Sequence, residues 1–296
     1  MIFALLLHGC ATLDREDLKA SITSEAGQAK ALIGPDWPQS NPRLTTSGDL
    51  YMRNLDTQIQ SLQELNSIKG NDSLLPRLAG LLYHRFQING RLPDAEQARS
   101  LLATAHGRDH GVEVDLLYAE VLMGFHEFSM AADVLASANA ANTRELAALQ
   151  SRIRLATGQQ TDPPDLQDRS PTGLANRANV LFDQGQMLAA SRLLREAQER
   201  YRNTAPYLLS WIHLQQGIFF LRSGDYESAR QFFSAARGRL PQYATAVEHL
   251  AETEFALGNN RIAAELYRSV AQQTDNPEFY YQLSRVERAE GNLPAV

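Results

Sequence analysis

Between Gln215 and Pro241 the chain reads QQGIFFLRSGDYESARQFFSAARGRLP, two stretches of helical period around one glycine. Gly217 and Phe220 belong to the first stretch. Gly224 closes it, because a glycine just past the last turn takes the left-handed backbone that ends a helix. Tyr226, Ala229, Phe233 and Ala236 then recur at steps of three and four, one face of a second helix that Pro241 stops. Small residues at Gly217, Ala229 and Ala236 predict a close approach of the two backbones. The aromatics Phe220, Tyr226 and Phe233 fill the space around it.

The pattern recurs in near-constant register. Gly258 lies 34 residues after Gly224 (258 − 224) and is followed by Ala263 and Tyr267 at the places of Ala229 and Phe233. Gly291 lies 33 residues after Gly258 (291 − 258), and upstream Gly185 is followed by Ala190, Leu194 and Ala197. Repetition at this period predicts an all-α fold, an α-solenoid of stacked antiparallel helix pairs. The motif of small residue, aromatic, turn glycine, Tyr, Ala, Phe, Ala and Pro resembles the tetratricopeptide repeat (TPR), and the resemblance implies a right-handed superhelix.

Taken in order, residues 11–47 hold one helix (Asp14 to Leu32) and a proline-rich loop in which Trp37 is a core anchor. Residues 48–158 read as a degenerate TPR-like array. Its first helix, Asp49 to Ile68, has Tyr51, Leu55, Ile59, Leu62 and Leu65 as the buried stripe and is closed by Gly70. Leu74 to Ile88 follows. Pro93 opens the next helix, with Ala95, Ala98, Leu101, Leu102 and Ala105 inward. Val112 to Phe125 and Glu127 to Ala138 make a further pair, and Arg144 to Thr157 is a helix closed by Gly158. Residues 159–172 (QQTDPPDLQDRSPT) break the pattern with three prolines, as a hinge or a packed irregular loop. Residues 173–296 form the better-formed array. Extra residues around Asn203 to Tyr207 predict longer helices there, and the last repeat is incomplete.

Charge narrows the partners. The net charge is −6 with Lys+Arg 28 against Asp+Glu 34, which argues against nucleic acid as the main ligand. No apolar run approaches the roughly 18 residues of a spanning helix. A single cysteine, Cys10, permits no internal disulfide.

That cysteine follows a short apolar run, Ile2 to Leu7. Leu7-His8-Gly9-Cys10 resembles a bacterial lipobox, although His8 stands where that family places a small or aliphatic residue. The resemblance implies a signal in residues 1–10, lipid attachment at Cys10 and, because Ala11 rather than Asp follows, the outer membrane facing the periplasm. Membrane contact would then run through the anchor alone. The alternative is a plain apolar N-terminus on a cytoplasmic protein.

Candidate chemistry is sparse. His126-Glu127-Phe128-Ser129-Met130 lacks the second histidine that a zinc-binding HExxH helix requires, and it falls on a repeat turn. His106, Asp109 and His110 cluster between helices, but Gly107 interrupts the helix that would align them. We read them as solvated loop residues. The expectation is no catalytic residue, no cofactor and no metal site.

The TPR resemblance implies that the first helix of each pair lines a concave groove. Carried over by position, the groove residues are Asn179, Asp183, Leu214, Ile218, Arg222, Glu248, Glu252, Phe255, Tyr281, Arg285 and Arg288. This mixture suits a protein or peptide partner. Chaperone-tail receptors of the family use Lys, Asn and Arg at set positions. Here Ala175 replaces the lysine and Glu248 and Glu252 oppose a carboxylate. The expectation is a non-enzymatic scaffold assisting a cell-envelope complex. The alternatives are a cytoplasmic adaptor and the TPR region of a longer enzyme.

Overall fold

The computed structural model describes residues 45–69, 72–106, 111–138, 144–159 and 168–291, together with Gln28. Among the described residues there are thirteen α-helices and no strand. Asp14 to Leu32, Trp37, Gly70, Asp109, His110 and Asn292 to Val296 lie outside them, Gln28 excepted, as does Cys10. The helices are α1 (Gly48–Lys69), α2 (Leu75–Asn89), α3 (Leu92–His106), α4 (Val112–Gly124), α5 (Phe128–Ser137) and α6 (Arg144–Ala156), then α7 (Pro171–Asp183), α8 (Met187–Arg200), α9 (Tyr207–Arg222), α10 (Tyr226–Arg239), α11 (Ala244–Ala256), α12 (Asn260–Thr274) and α13 (Pro277–Ala289). The chain divides into two compact units. The first holds residues 52–87 and 91–159; the second holds 45–51, 88–90 and 168–291.

In the first unit α3 packs on α4, α4 on α5, and α6 on both α4 and α5. Met52, Leu55, Ile59 and Leu62 form the buried stripe of α1. Leu65, expected inside, is exposed, and Met52, not named from the sequence, is buried beside the half-buried Tyr51. Tyr83 on α2 lies against Gly124 on α4, where any Cβ would come within 2.5 Å of the phenol oxygen. Polar fixing is equally specific. Arg85 on α2 forks onto Asp94 in the first turn of α3, Nε to Oδ2 at 2.7 Å and Nη2 to Oδ1 at 2.8 Å. Its Nη1 donates to Asp56 on α1 at 2.8 Å. This side-on geometry is the one a planar guanidinium provides and an ammonium cannot.

In the second unit successive pairs α7/α8, α9/α10 and α11/α12 stack, and each second helix also packs on the next first helix. First helices touch first helices, α7 against α9 and α9 against α11, so the unit has two helical layers. The close approach at Gly217 is real: a Cβ there would fall 2.4 Å from Phe233 Cε1. Phe233, Ala229 and Ala236 are fully buried. Tyr226, expected on that inward face, is exposed at the helix start, and Phe232 is buried and stacked on Phe220 at 5.4 Å.

Turns follow one rule across both units. Gly185, Gly224, Gly258 and Gly291 all have φ between 74° and 81°. The residue after the glycine closes the helix by a backbone bond, Asp225 N–H to Phe220 O at 3.0 Å and Asn259 N–H to Glu254 O at 2.8 Å. The first unit makes the same bond, Glu127 N–H to Leu122 O at 3.0 Å, with His126 at φ 60° in the glycine's place.

Two boundaries differ from expectation. Helix α7 begins at Pro171, inside the stretch read as a break, because Ser170 caps it by accepting from Gly173 N–H at 3.0 Å. Proline suits that first position, where its missing N–H costs nothing. The extra residues after α8 form an irregular linker at 201–206 and leave α8 at 14 residues, while α9, at 16 residues against 13 for α7 and for α11, is longer as expected. They do not extend α8 across the gap.

Candidate functional site

The layer of first helices α7, α9 and α11, with α13 beyond, carries every groove position named from the sequence. Their placement is uneven. Leu214 is 1% exposed and Ile218 7%, so they support the layer and offer almost nothing to a partner. Arg222, Glu252, Tyr281, Arg285 and Arg288 are exposed, and Tyr281 most of the aromatics at 58%. Asn179, Glu248 and Phe255 are half-buried, and Asp183 closes α7. The carbonyl oxygen of the Asn179 side chain is buried without a hydrogen bond among the described residues.

Arg222 is held by an aromatic pair. Its guanidinium carbon lies 4.7 Å over the Phe182 ring, and Phe182 stacks on Phe219 at 3.9 Å and 13°. A cation over a ring face is attracted by the ring quadrupole. Phe182 was not named from the sequence. Its signal was present: it stands three residues before its turn glycine, as Phe255 and Arg288 do before theirs.

Around α11 the field is acidic. Burial, first, pushes the Glu248 carboxyl up; Glu252 adds to this, and His249 opposes it. His249 Nδ1 lies 3.1 Å from Glu252 Oε2. The Tyr267 hydroxyl is pushed up by burial and by Glu252 and Glu248, with Arg285 pulling the other way. Glu278 on α13 acts on both groups in the same sense as the other carboxylates. Burial is the first cause of both shifts, and the neighbouring glutamates add to it.

The other candidates resolve into structure. His126 is the left-handed residue of a repeat turn, with its ring edge-on to Phe128 at 5.6 Å. His106 Nδ1 pairs with Asp115 Oδ1 at 2.6 Å across α3 and α4. Among the described residues no group of three His, Cys, Asp or Glu side chains is placed to hold a metal. No described helix is long and apolar enough to cross a membrane.

No protein-family model matches the chain, and no curated protein does. Solved structures do. The yeast Tom70 structure aligns with a TM-score of 0.51 at 12% identity, covering 98% of this chain and 67% of that one. The human IFIT1 dimer with m7Gppp-AAAA aligns with a TM-score of 0.51 at 14% identity, covering 95% of this chain and 71% of that one. TTC0263, a thermophilic TPR protein of Thermus thermophilus, aligns over 73% of this chain with a TM-score of 0.38 at 18% identity. The fold is an all-α solenoid of the TPR kind.

Proposed function

We propose that the chain is a non-enzymatic scaffold that holds a protein or peptide partner on the first-helix layer of its second unit. The observation that carries this is the row of exposed, chemically mixed side chains on successive first helices: Arg222, Glu252, Tyr281, Arg285 and Arg288. Tyrosine and arginine are the side chains that most often dominate partner binding, because each combines a large apolar surface with fixed polar groups. Glu248, Glu252 and Glu278 favour a partner segment carrying lysine or arginine. The RNA of the IFIT1 complex is not carried over, since a net charge of −6 and three glutamates beside the surface oppose phosphate.

The test is site-specific photo-crosslinking in cells. A benzophenone side chain at Tyr281 is expected to trap a partner, and one at Arg261, exposed on the opposite helix layer, is not. Combining Arg222→Glu with Arg285→Glu is expected to abolish the Tyr281 product while the circular dichroism spectrum stays unchanged. Equal trapping from both positions refutes the assignment.

The same proposal includes an envelope location through lipid on Cys10, supported by Leu7-His8-Gly9-Cys10 alone. Palmitate labelling of the wild-type chain and loss of label in Cys10→Ser are the expected results. No label on either, with the protein in the cytoplasm, supports the adaptor reading instead.

A further inference from the structure

We propose that the α8–α9 junction of the second unit is a conformational seam, at which the α7/α8 pair and the α9–α13 array part while each stays folded. Two polar side chains meet there in the interior, Gln198 on α8 and His213 on α9, and Gln216 is buried three residues further along α9; all are 0% exposed. The Gln198 side-chain nitrogen lies 3.3 Å from His213 Nε2. Gln198 Oε1, His213 Nδ1 and both amide atoms of Gln216 have no hydrogen-bond partner among the described residues. Each such atom makes the closed junction costly, and each gains water when it opens. The next repeat lacks this feature: Val247 and Leu250, 34 residues on (247 − 213 and 250 − 216), are buried and apolar.

The backbone agrees. Helices α8 and α9 lie against each other less extensively than α10 and α11 or α12 and α13 do. Their linker, residues 201–206, is longer than the connections at 240–243 and 275–276. Within it Tyr201 O–H donates to Ala205 O at 2.7 Å and Ala205 N–H to Asn203 Oδ1 at 3.0 Å, and Thr46 N–H, from the segment before α1, donates to Thr204 O at 2.8 Å. Leu209, Ile212 and Phe219 against Leu194, Ala197 and Tyr201 supply the closing force. The Phe182–Phe219 stack, near the far end of α9 from the linker, is the pivot.

Opening exposes an imidazole, so the seam is coupled to pH. Burial, with Arg239 second, pushes His213 down to about 3. Gln198 from α8 and Phe232 from α10 also face it, and neither titrates. His213 is therefore neutral when closed and binds a proton near pH 6.5 when open. The open state binds more protons below pH 6.5, and the opening constant rises roughly tenfold per unit as pH falls below that value. Asn179 and Arg222 stand on opposite sides of the seam, but the test needs no partner.

A matched pair of buried reporters measures it. Ala197 on α8 and Ala236 on α10 are both fully buried and stand twelve residues after their turn glycines (197 − 185 and 236 − 224). In the full chain carrying Cys10→Ser, Ala197→Cys and Ala236→Cys are labelled with a methanethiosulfonate under native conditions. Rates are normalised to free cysteine at each pH. Ala197→Cys is expected to react at least tenfold faster than Ala236→Cys, and its opening to rise about tenfold from pH 7.5 to 5.5. Adding His213→Val, or His213→Gln where the valine variant does not fold, is expected to remove that rise. Equal labelling of the two reporters, or a pH rise that survives both His213 substitutions, overturns the proposal.

Discussion

The turn at His126 in the first unit and the turn at Gly224 in the second are the same object made from different residues. Both end a first helix with a left-handed residue, at φ 60° and 80°, and both close it with the same backbone hydrogen bond at 3.0 Å. What differs is how the surrounding helices are fixed. The second unit interlocks a missing side chain with a large one, Gly217 with Phe233. The first unit has such a contact too, Gly124 with Tyr83, and adds a charged fork, Arg85 to Asp94, with Asp56 at its far end. The repeat geometry is thus a property of the backbone and of the volume between helices. Different residues can supply the same turn, glycine in one unit and histidine in the other.

The comparison is broken most severely by removing the large partner of the interlock. Phe233→Ala is expected to cost about 3–5 kcal/mol in denaturant melts, because a fully buried ring leaves a cavity between two helices. Gly217→Ala, which drives a methyl into the same ring, is expected to cost roughly 1–3 kcal/mol, and Phe233→Leu to recover part of it. Simple additivity of the two would mean that the interlock is not the organising contact.

In the first unit Arg85→Lys keeps the charge and loses the fork. The expected cost is roughly 1.5–3 kcal/mol, read as a shift of the denaturant midpoint. No shift would move the first unit's stability from its ion pair to its apolar stripe. Gln216→Leu, which copies Leu250 of the next repeat, is expected to stabilise by about 1–2 kcal/mol because two orphan amide atoms leave the interior. His126→Gly is the smallest effect. Relief of left-handed strain is offset by the looser unfolded chain, for a net gain of about 0.5 kcal/mol. A loss on that substitution would show that the edge contact with Phe128 matters more than the backbone.

Much of the fold was legible because its signals are local. Helix period, turn glycines and capping residues act within one or two turns, and the small-plus-aromatic code located Gly217 against Phe233. Errors fell where two elements compete for one residue. Tyr226 has an inward period but sits at a helix start, so Phe232 takes the buried place. Pro171 resembles a breaker in a proline-rich run, yet a serine cap turns it into a helix start. For the candidate surface, position within the repeat named eleven residues without telling open from buried, and it passed over Phe182.

By itself the sequence determined the all-α repeat architecture, since hydrogen bonding along a helix and its period of burial are decided within a few residues. Tertiary structure alone decided which positions are free to meet a partner. Leu214, Ile218, Arg222 and Tyr281 follow one positional rule, and packing between repeats buries the first two and exposes the others. It also decided that Gln198 meets His213 in the interior and that Gln216 is buried. Exposure and electrostatic surroundings are properties of neighbours brought from distant parts of the chain, and no local period encodes them.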